Sequence, residues 1–314
     1  MAQLAISLFG SFHVTLDGRP VTAFQSDKVR GLLAFLAVEA AAPQRRERLA
    51  GLLWPDSPEA QARHSLSQAL LNLRRITWDH LASPPLFLIT PKSVQLNPAS
   101  DHWSDVTSLT QLLSSPAGPM LEDAVALYRG PFLAGFSLPD SALFEEWALL
   151  ERERLHRLAL EALGRLAHLE EQAGALDKAL LHTQRLLALD PLAEEAHRRA
   201  MRLLHQLGRR GQALAQYETC RRLLAEELNA QPAPLTVQLA RQIRGEGSKK
   251  PGFSEETGFL AAPRHNLPAP ATAFVGRQTE LAAIDRWLAD EGCQLSLAAH
   301  EGGGRRGQVV ARRS

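Results

Sequence analysis

The 314-residue sequence predicts a mainly α-helical chain with a small β component. Three observations predict it. Near the start, apolar residues alternate singly, as on a strand, and then switch to helical spacing. From about Asp101 to Arg244 the helical pattern is almost unbroken. Within that stretch a segment returns after 34 residues.

The elements follow in order. Leu4, Ile6 and Leu8, then Phe12, Val14 and Leu16, alternate on either side of Gly10, and Asp17-Gly18 is a hairpin turn signal. From Ser26, a helix-capping residue type, Val29, Leu32, Leu33 and Leu36 recur at helical spacing. Leu49, Leu52 and Leu53 mark a second, short helix that ends at "LWPD". The third helix is "SPEAQARHSLSQALLNLRRI", Ser57 to Ile76, with Ser57 placed to cap it and Pro58 suited to a first turn that needs no N–H donor. "PLFLITPKSVQLN" reads as two short strands about the turn Thr90-Pro91-Lys92-Ser93. Strands, three helices and a hairpin are the layout of a winged helix-turn-helix, with the third helix (58–77) entering the major groove and the hairpin near 90–93 as the wing.

Beyond Asp101 the chain repeats. "AGALDKALLHTQRLLALDP" aligns with "LGRRGQALAQYETCRRLLAEEL", Gly174 over Gly208 and Ala179 over Ala213, at the tetratricopeptide period. Stacked helix pairs of this kind offer a docking face. The expected domains are therefore a winged helix-turn-helix at 1–98, a tetratricopeptide-like helical domain at 101–245, a Gly/Pro/Ser-rich linker at 246–272 and a further segment at 273–314. A boundary near 100 implies that residues 1–100 fold by themselves. Charge changes sign at the same place. Residues 1–100 carry ten Lys/Arg and seven Asp/Glu, whereas 101–245 carry sixteen and nineteen.

The third helix carries the sharpest functional signal. Leu66, Leu70 and Leu73, with Ala62 and Ala69, form its packed stripe. His64, Gln68, Leu71, Asn72 and Arg75 share the other side, beside Ser67. Such a face can be merely solvated. In a winged layout, though, Gln and Asn suit adenine edges and Arg suits guanine. Arg63, Arg74, Arg45, Arg46 and Lys92 are then placed for phosphates. Leu71 fits a thymine methyl or a neighbouring surface.

Several motifs in this order resemble the antibiotic-regulatory-protein type of bacterial transcriptional activator, over roughly residues 1–245. They are "LWPD", "SLSQALLNLRR", "ALYRGPFLAGF" (126–136), "FEEWALLERERL" (144–155) and "GQALAQYETCRRLLAEEL" (211–228). The resemblance implies binding to direct repeats in promoter double-stranded DNA and activation with RNA polymerase. It also implies self-association or partner contact through the helical domain. "ALYRGPFLAGF" itself reads as an irregular apolar corner that packs on helices. "FVGRQTEL" (274–281) resembles the opening of signal-transduction NTPases. Yet "LSLAAHEGGGRRGQVV" lacks the lysine and hydroxyl of a phosphate loop, so a truncated, poorly ordered NTPase-like segment is expected at 273–314.

No catalytic constellation, cofactor motif or metal-ligand spacing appears, and the two cysteines stand far apart. No signal peptide or membrane span is visible. The expectation is a cytoplasmic DNA-binding activator without enzymatic activity. The rivals are a helical-repeat interaction scaffold and an ATP-dependent switch.

Overall fold

The computed structural model describes residues 3–113 and 118–245, with side chains from residue 120 after the break. These residues belong to one unit, Met1–Pro251. The linker and NTPase-like expectations at 246–314 lie outside the described residues.

The N-terminal alternation becomes β1 (Leu4–Ser7), β2 (His13–Leu16) and β3 (Arg19–Pro20), a meander with Ile6 opposite Val14. Leu4, Ile6 and Leu8 are wholly buried, so one face of β1 is core, as the alternation predicts. Then come α1 (Asp27–Val38), β4 (Gln44–Arg45), α2 (Arg46–Leu53) and α3 (Glu59–Ile76). Ser26 holds the N-cap of α1 without a side-chain hydrogen bond. The N-cap of α3 falls on Pro58 rather than Ser57, and the Pro58 carbonyl accepts the Ala62 N–H. A single 3-10 turn, Asp79–Leu81, precedes β5 (Phe87–Ile89) and β6 (Ser93–Leu96). The expected wing hairpin is widened by β4, giving the sheet order β4-β6-β5.

Residues at the boundary expected near 100 behave differently. β7 (His102–Ser104) pairs in parallel with β1, Leu4 opposite His102, and completes the sheet β3-β2-β1-β7. Next is α4 (Asp105–Leu113), whose first residue is fully buried. The Asp105 carboxylate accepts the backbone N–H groups of Leu8 (2.9 Å), Phe9 (3.0 Å) and Val106 (2.9 Å). Burial pushes this carboxyl above its ordinary range, while the three N–H groups and Arg129 at 3.9 Å pull it back down.

α5 (Gly118–Leu127) leads into the "ALYRGPFLAGF" corner. Tyr128, Phe132 and Leu133 are buried there, so packing is its role. Its main partner is the N-terminal sheet as well as the helices: Phe132 bridges to Phe9, and the Leu133 N–H donates to the Leu8 carbonyl at 2.8 Å. The long α6 (Ala142–Gln172) then crosses the winged unit. Trp147 packs on Phe35, Phe132 and Phe144 and donates its indole N–H to Glu39. The Ser141 hydroxyl donates to the Leu53 carbonyl at 2.8 Å, and Lys28 pairs with Asp140 at 2.8 Å. One hydrophobic core consequently runs from Leu4 to Ala159. The boundary expected at 98–101 falls inside that core, because strand pairing and apolar packing continue across it.

The helical repeat follows the expected register. α7 (Leu176–Leu189), α8 (Glu194–Gln206), α9 (Arg210–Leu228) and α10 (Pro234–Arg244) stack in succession on the end of α6. Gly174 and Gly208 take φ of +75° and +73° just past α6 and α8. The next N–H reaches back, Ala175 to Glu170 and Arg209 to Leu204, so both helices end in the same Schellman turn. Ala179 and Ala213 are fully buried at the helix contacts. Leu203 is also fully buried, whereas its counterpart Leu169 is 40% exposed. His197 is packed, its ring nitrogens within hydrogen-bond distance of the Pro191 carbonyl and the Gln216 amide. No helix among the described residues is long and apolar enough to cross a membrane.

Candidate nucleic-acid interface

The site is built on α3. Ala62, Leu66, Ala69, Leu70 and Leu73 are buried against the other helices of the winged unit. That fixes the rotation of the helix and turns His64, Ser67, Gln68, Leu71 and Arg75 outward, all exposed. They stand at i, i+3, i+4, i+7 and i+11, one continuous ridge. Leu71 at its centre is 61% exposed.

Asn72 does not join this ridge. It is 2% exposed, its amide oxygen accepts the Gln25 N–H at 3.1 Å, and its amide N–H₂ faces the Ala23 carbonyl at 3.4 Å. Its position corrects the expectation of a base reader: the loop before α1 covers that side of α3, so Asn72 serves as a clamp for the loop. Arg74 is also engaged. Its Nε–H donates to the Asp79 carboxylate at 2.7 Å, and Asp79, with its side chain fully buried, also accepts the N–H groups of Leu86 (2.6 Å) and Phe87 (3.1 Å). This ties the end of α3 to the start of the wing. The guanidinium of Arg74 is about half exposed, so its outer face is open to a second anion.

The remaining basic residues divide by what already holds them. Arg63 is paired with Glu59 and, at 3.4 Å, with Glu47. Arg46 donates to the Ser67 hydroxyl at 2.8 Å, and that hydroxyl donates to the Arg63 carbonyl at 2.9 Å. Ser67 thus joins α2 to α3. Arg45 and Lys92 are exposed, and both sit where α2 meets the wing. Arg45 is opposite Ser93 in the β4–β6 pair, and the Arg46 N–H donates to the Lys92 carbonyl at 3.0 Å. The wing turn is stiffened by Thr90, whose hydroxyl oxygen accepts the Ser93 N–H at 2.9 Å. The structure therefore brings Arg45, Arg46 and Lys92 together beside the α3 ridge, although 47 residues of sequence separate the first from the last.

Near the C-terminal end of α3, Gln68, Leu71 and Arg75 border a depression of about 370 Å³ with Gln25 and His80. Sequence reasoning passed over Gln25 and His80. Neither shares the helical period of α3: Gln25 precedes α1, and His80 follows Trp78, which leaves the helix at φ +53°. The ridge is exposed and has Arg45, Arg46 and Lys92 beside it. It can offer hydrogen bonds and one apolar contact to base edges, with charge for phosphates.

Comparisons with known proteins bear on the same chain. Residues 113–244 match the family model of the bacterial transcriptional activator domain. The regulatory protein AfsR of Streptomyces coelicolor is 26% identical over 98% of this chain, which spans only 30% of that protein's length. The transcriptional regulator RedD of the same species is 29% identical over 67% of this chain and 62% of its own length. A solved structure of Mycobacterium tuberculosis EmbR, in complex with a low affinity phosphopeptide, superposes with a TM-score of 0.59 at 22% identity, covering 78% of this chain and 66% of that one. That likeness is one of fold: a winged helix-turn-helix followed by a helical repeat.

Proposed function

We propose that this chain is a sequence-specific, cytoplasmic DNA-binding transcriptional regulator, an activator that docks α3 in the major groove of promoter direct repeats. The observation that carries the reading is the uncommitted ridge His64, Gln68, Leu71 and Arg75 on a helix whose rotation the core fixes. Gln68 and Arg75 read base edges, His64 contributes a further hydrogen bond, and Leu71 meets a thymine methyl. Arg45, Lys92 and the outer face of Arg74 hold phosphates, while Arg46, Arg63 and Ser67 set the geometry of α2 against α3. The similarity to named transcriptional regulators and to the bacterial transcriptional activator domain supports this role. In this reading the helical repeat supplies the surface for RNA polymerase or for a second copy of the chain.

The test is footprinting of the full chain on DNA upstream of its neighbouring genes. The expected result is protection of two repeated half-sites on one face of the duplex, weakened steeply by salt. Binding that never exceeds the affinity for random DNA would sink the proposal in favour of an interaction scaffold.

A further inference from the structure

Away from the α3 face, three side chains from three consecutive helices converge. Glu122 of α5, Glu170 of α6 and His182 of α7 each bring one ligand-type atom within 4.8 Å of the others. Glu170 is the unusual member. It is 8% exposed, and neither carboxylate oxygen has a hydrogen-bond partner among the described residues. A buried carboxylate without donors is costly, and native interiors rarely leave one so.

The neighbouring cations do not resolve it. Lys178 is directed at Glu122, 3.4 Å away. Arg199 donates to the Gly164 carbonyl and lies 3.8 Å from Glu171. The nearest group is His182, whose Nε2 stands 3.5 Å from Glu170 Oε1 and whose Nδ1 is buried without a partner. That separation is longer than a good hydrogen bond. It does match the edge of a coordination tetrahedron. Two ligand atoms each about 2.1 Å from a tetrahedral ion lie roughly 3.4 Å apart.

We propose that Glu122, Glu170 and His182 form a binding site for a divalent transition-metal ion of the zinc class. One neutral imidazole and two carboxylates balance a 2+ charge, and mixed N/O donors favour zinc over magnesium or calcium. Glu170 and His182 form the preset pair, and Glu122, exposed and paired with Lys178, swings in as the third ligand. Water completes the shell. The bound ion cross-links α5, α6 and α7 at the start of the helical repeat. It also neutralises the buried carboxylate that the fold otherwise leaves uncompensated.

The test is calorimetric titration of the full chain, stripped by chelator, with zinc chloride alone. A thermal melt with and without zinc accompanies it. One saturable site per chain and a raised Tm are expected. Glu170→Gln and His182→Gln should each weaken binding at least about 100-fold, since even the outer partners of metal ligands are worth about 10- to 100-fold. Glu170→Gln should also raise the Tm of the metal-free protein by removing a buried charge. Glu122→Gln, at an exposed position, guards against a folding artefact and should weaken binding at least about 10-fold. Absence of saturable binding by the wild-type chain overturns the proposal. So does undiminished affinity in all three variants, which would put the zinc elsewhere.

Discussion

At the scale of single residues, position on one helix decides role. Gln68 and Asn72 are four residues apart and chemically alike, yet Gln68 is exposed and Asn72 is nine-tenths or more buried beneath the loop before α1. Gln68→Ala should reduce affinity for cognate DNA by about 1–3 kcal/mol, the worth of a bidentate base contact, with no change in Tm. Asn72→Ala should do the opposite. It removes the buried amide that accepts the Gln25 N–H, and stability should fall by about 0.5–1.5 kcal/mol. Denaturant unfolding and DNA titration of the two variants separate the assignments. If Asn72→Ala melts like wild type and loses DNA affinity, the helix is rotated in solution from its described position. The leucine stripe was legible because burial on a helix follows its period. The burial of Asn72 was not, since periodicity says which face of a helix is apolar but not what covers a polar one. The same limit hid the metal-type cluster, whose three members share neither helix nor spacing.

At the scale of elements, the short strand β7 has the largest consequences. Its three residues carry no strand signal of their own, and their partner is about a hundred residues away, so the sequence places a domain boundary there instead of a strand. Once paired, it brings Asp105 beneath the backbone of Leu8 and Phe9. The wing and the 34-residue repeat were readable because turn residues and glycines mark them locally. A fragment of residues 1–100 lacks β7, Asp105, the Phe132 corner and Trp147, all of which pack on the N-terminal sheet or α1. It should be largely unfolded by circular dichroism, whereas residues 1–245 should unfold with a single transition at the winged core. A cooperative melt of the 1–100 fragment would restore the boundary near residue 100. β7 also holds a pH response. Burial lowers the pKa of His102 below its ordinary 6.5, so the folded state favours neutral imidazole. The associated stability is complete above pH 6.5 and drains away as the pH falls through the lower, folded value. Stability measured from pH 7 to 5 should decline, and His102→Gln should flatten part of the slope.

At the scale of the whole molecule, the winged region and the first half of α6 share one core while α7–α10 pack around a core of their own, and α6 is held against α1 through Trp147 and against α2 through the Ser141 cap. Residues 246–314 carry no Lys-Ser/Thr pair after their glycines. Deleting them should leave DNA affinity unchanged, and the full chain should not bind ATP in a magnesium-dependent way. Saturable, magnesium-dependent binding of ATP in calorimetry, lost on truncation at residue 245, would revive a nucleotide-controlled switch.

The parallel pairing of β1 with β7 sets an order of events during synthesis. Once β1 leaves the ribosome it must wait for residues 102–104 to emerge, and its apolar face must wait longer for Phe132 and α6. Until then Leu4, Ile6 and Leu8 belong to a nascent chain with an unpaired edge, the condition under which chains recruit chaperones or aggregate. Contacts spanning a hundred residues also slow closure once the chain is free. Stalled nascent chains ending shortly after residue 100 should therefore be protease-sensitive throughout the winged region, and those extended past α6 should be resistant. The winged region would then be completed only after α6, the first helix of the repeat stack, has been translated.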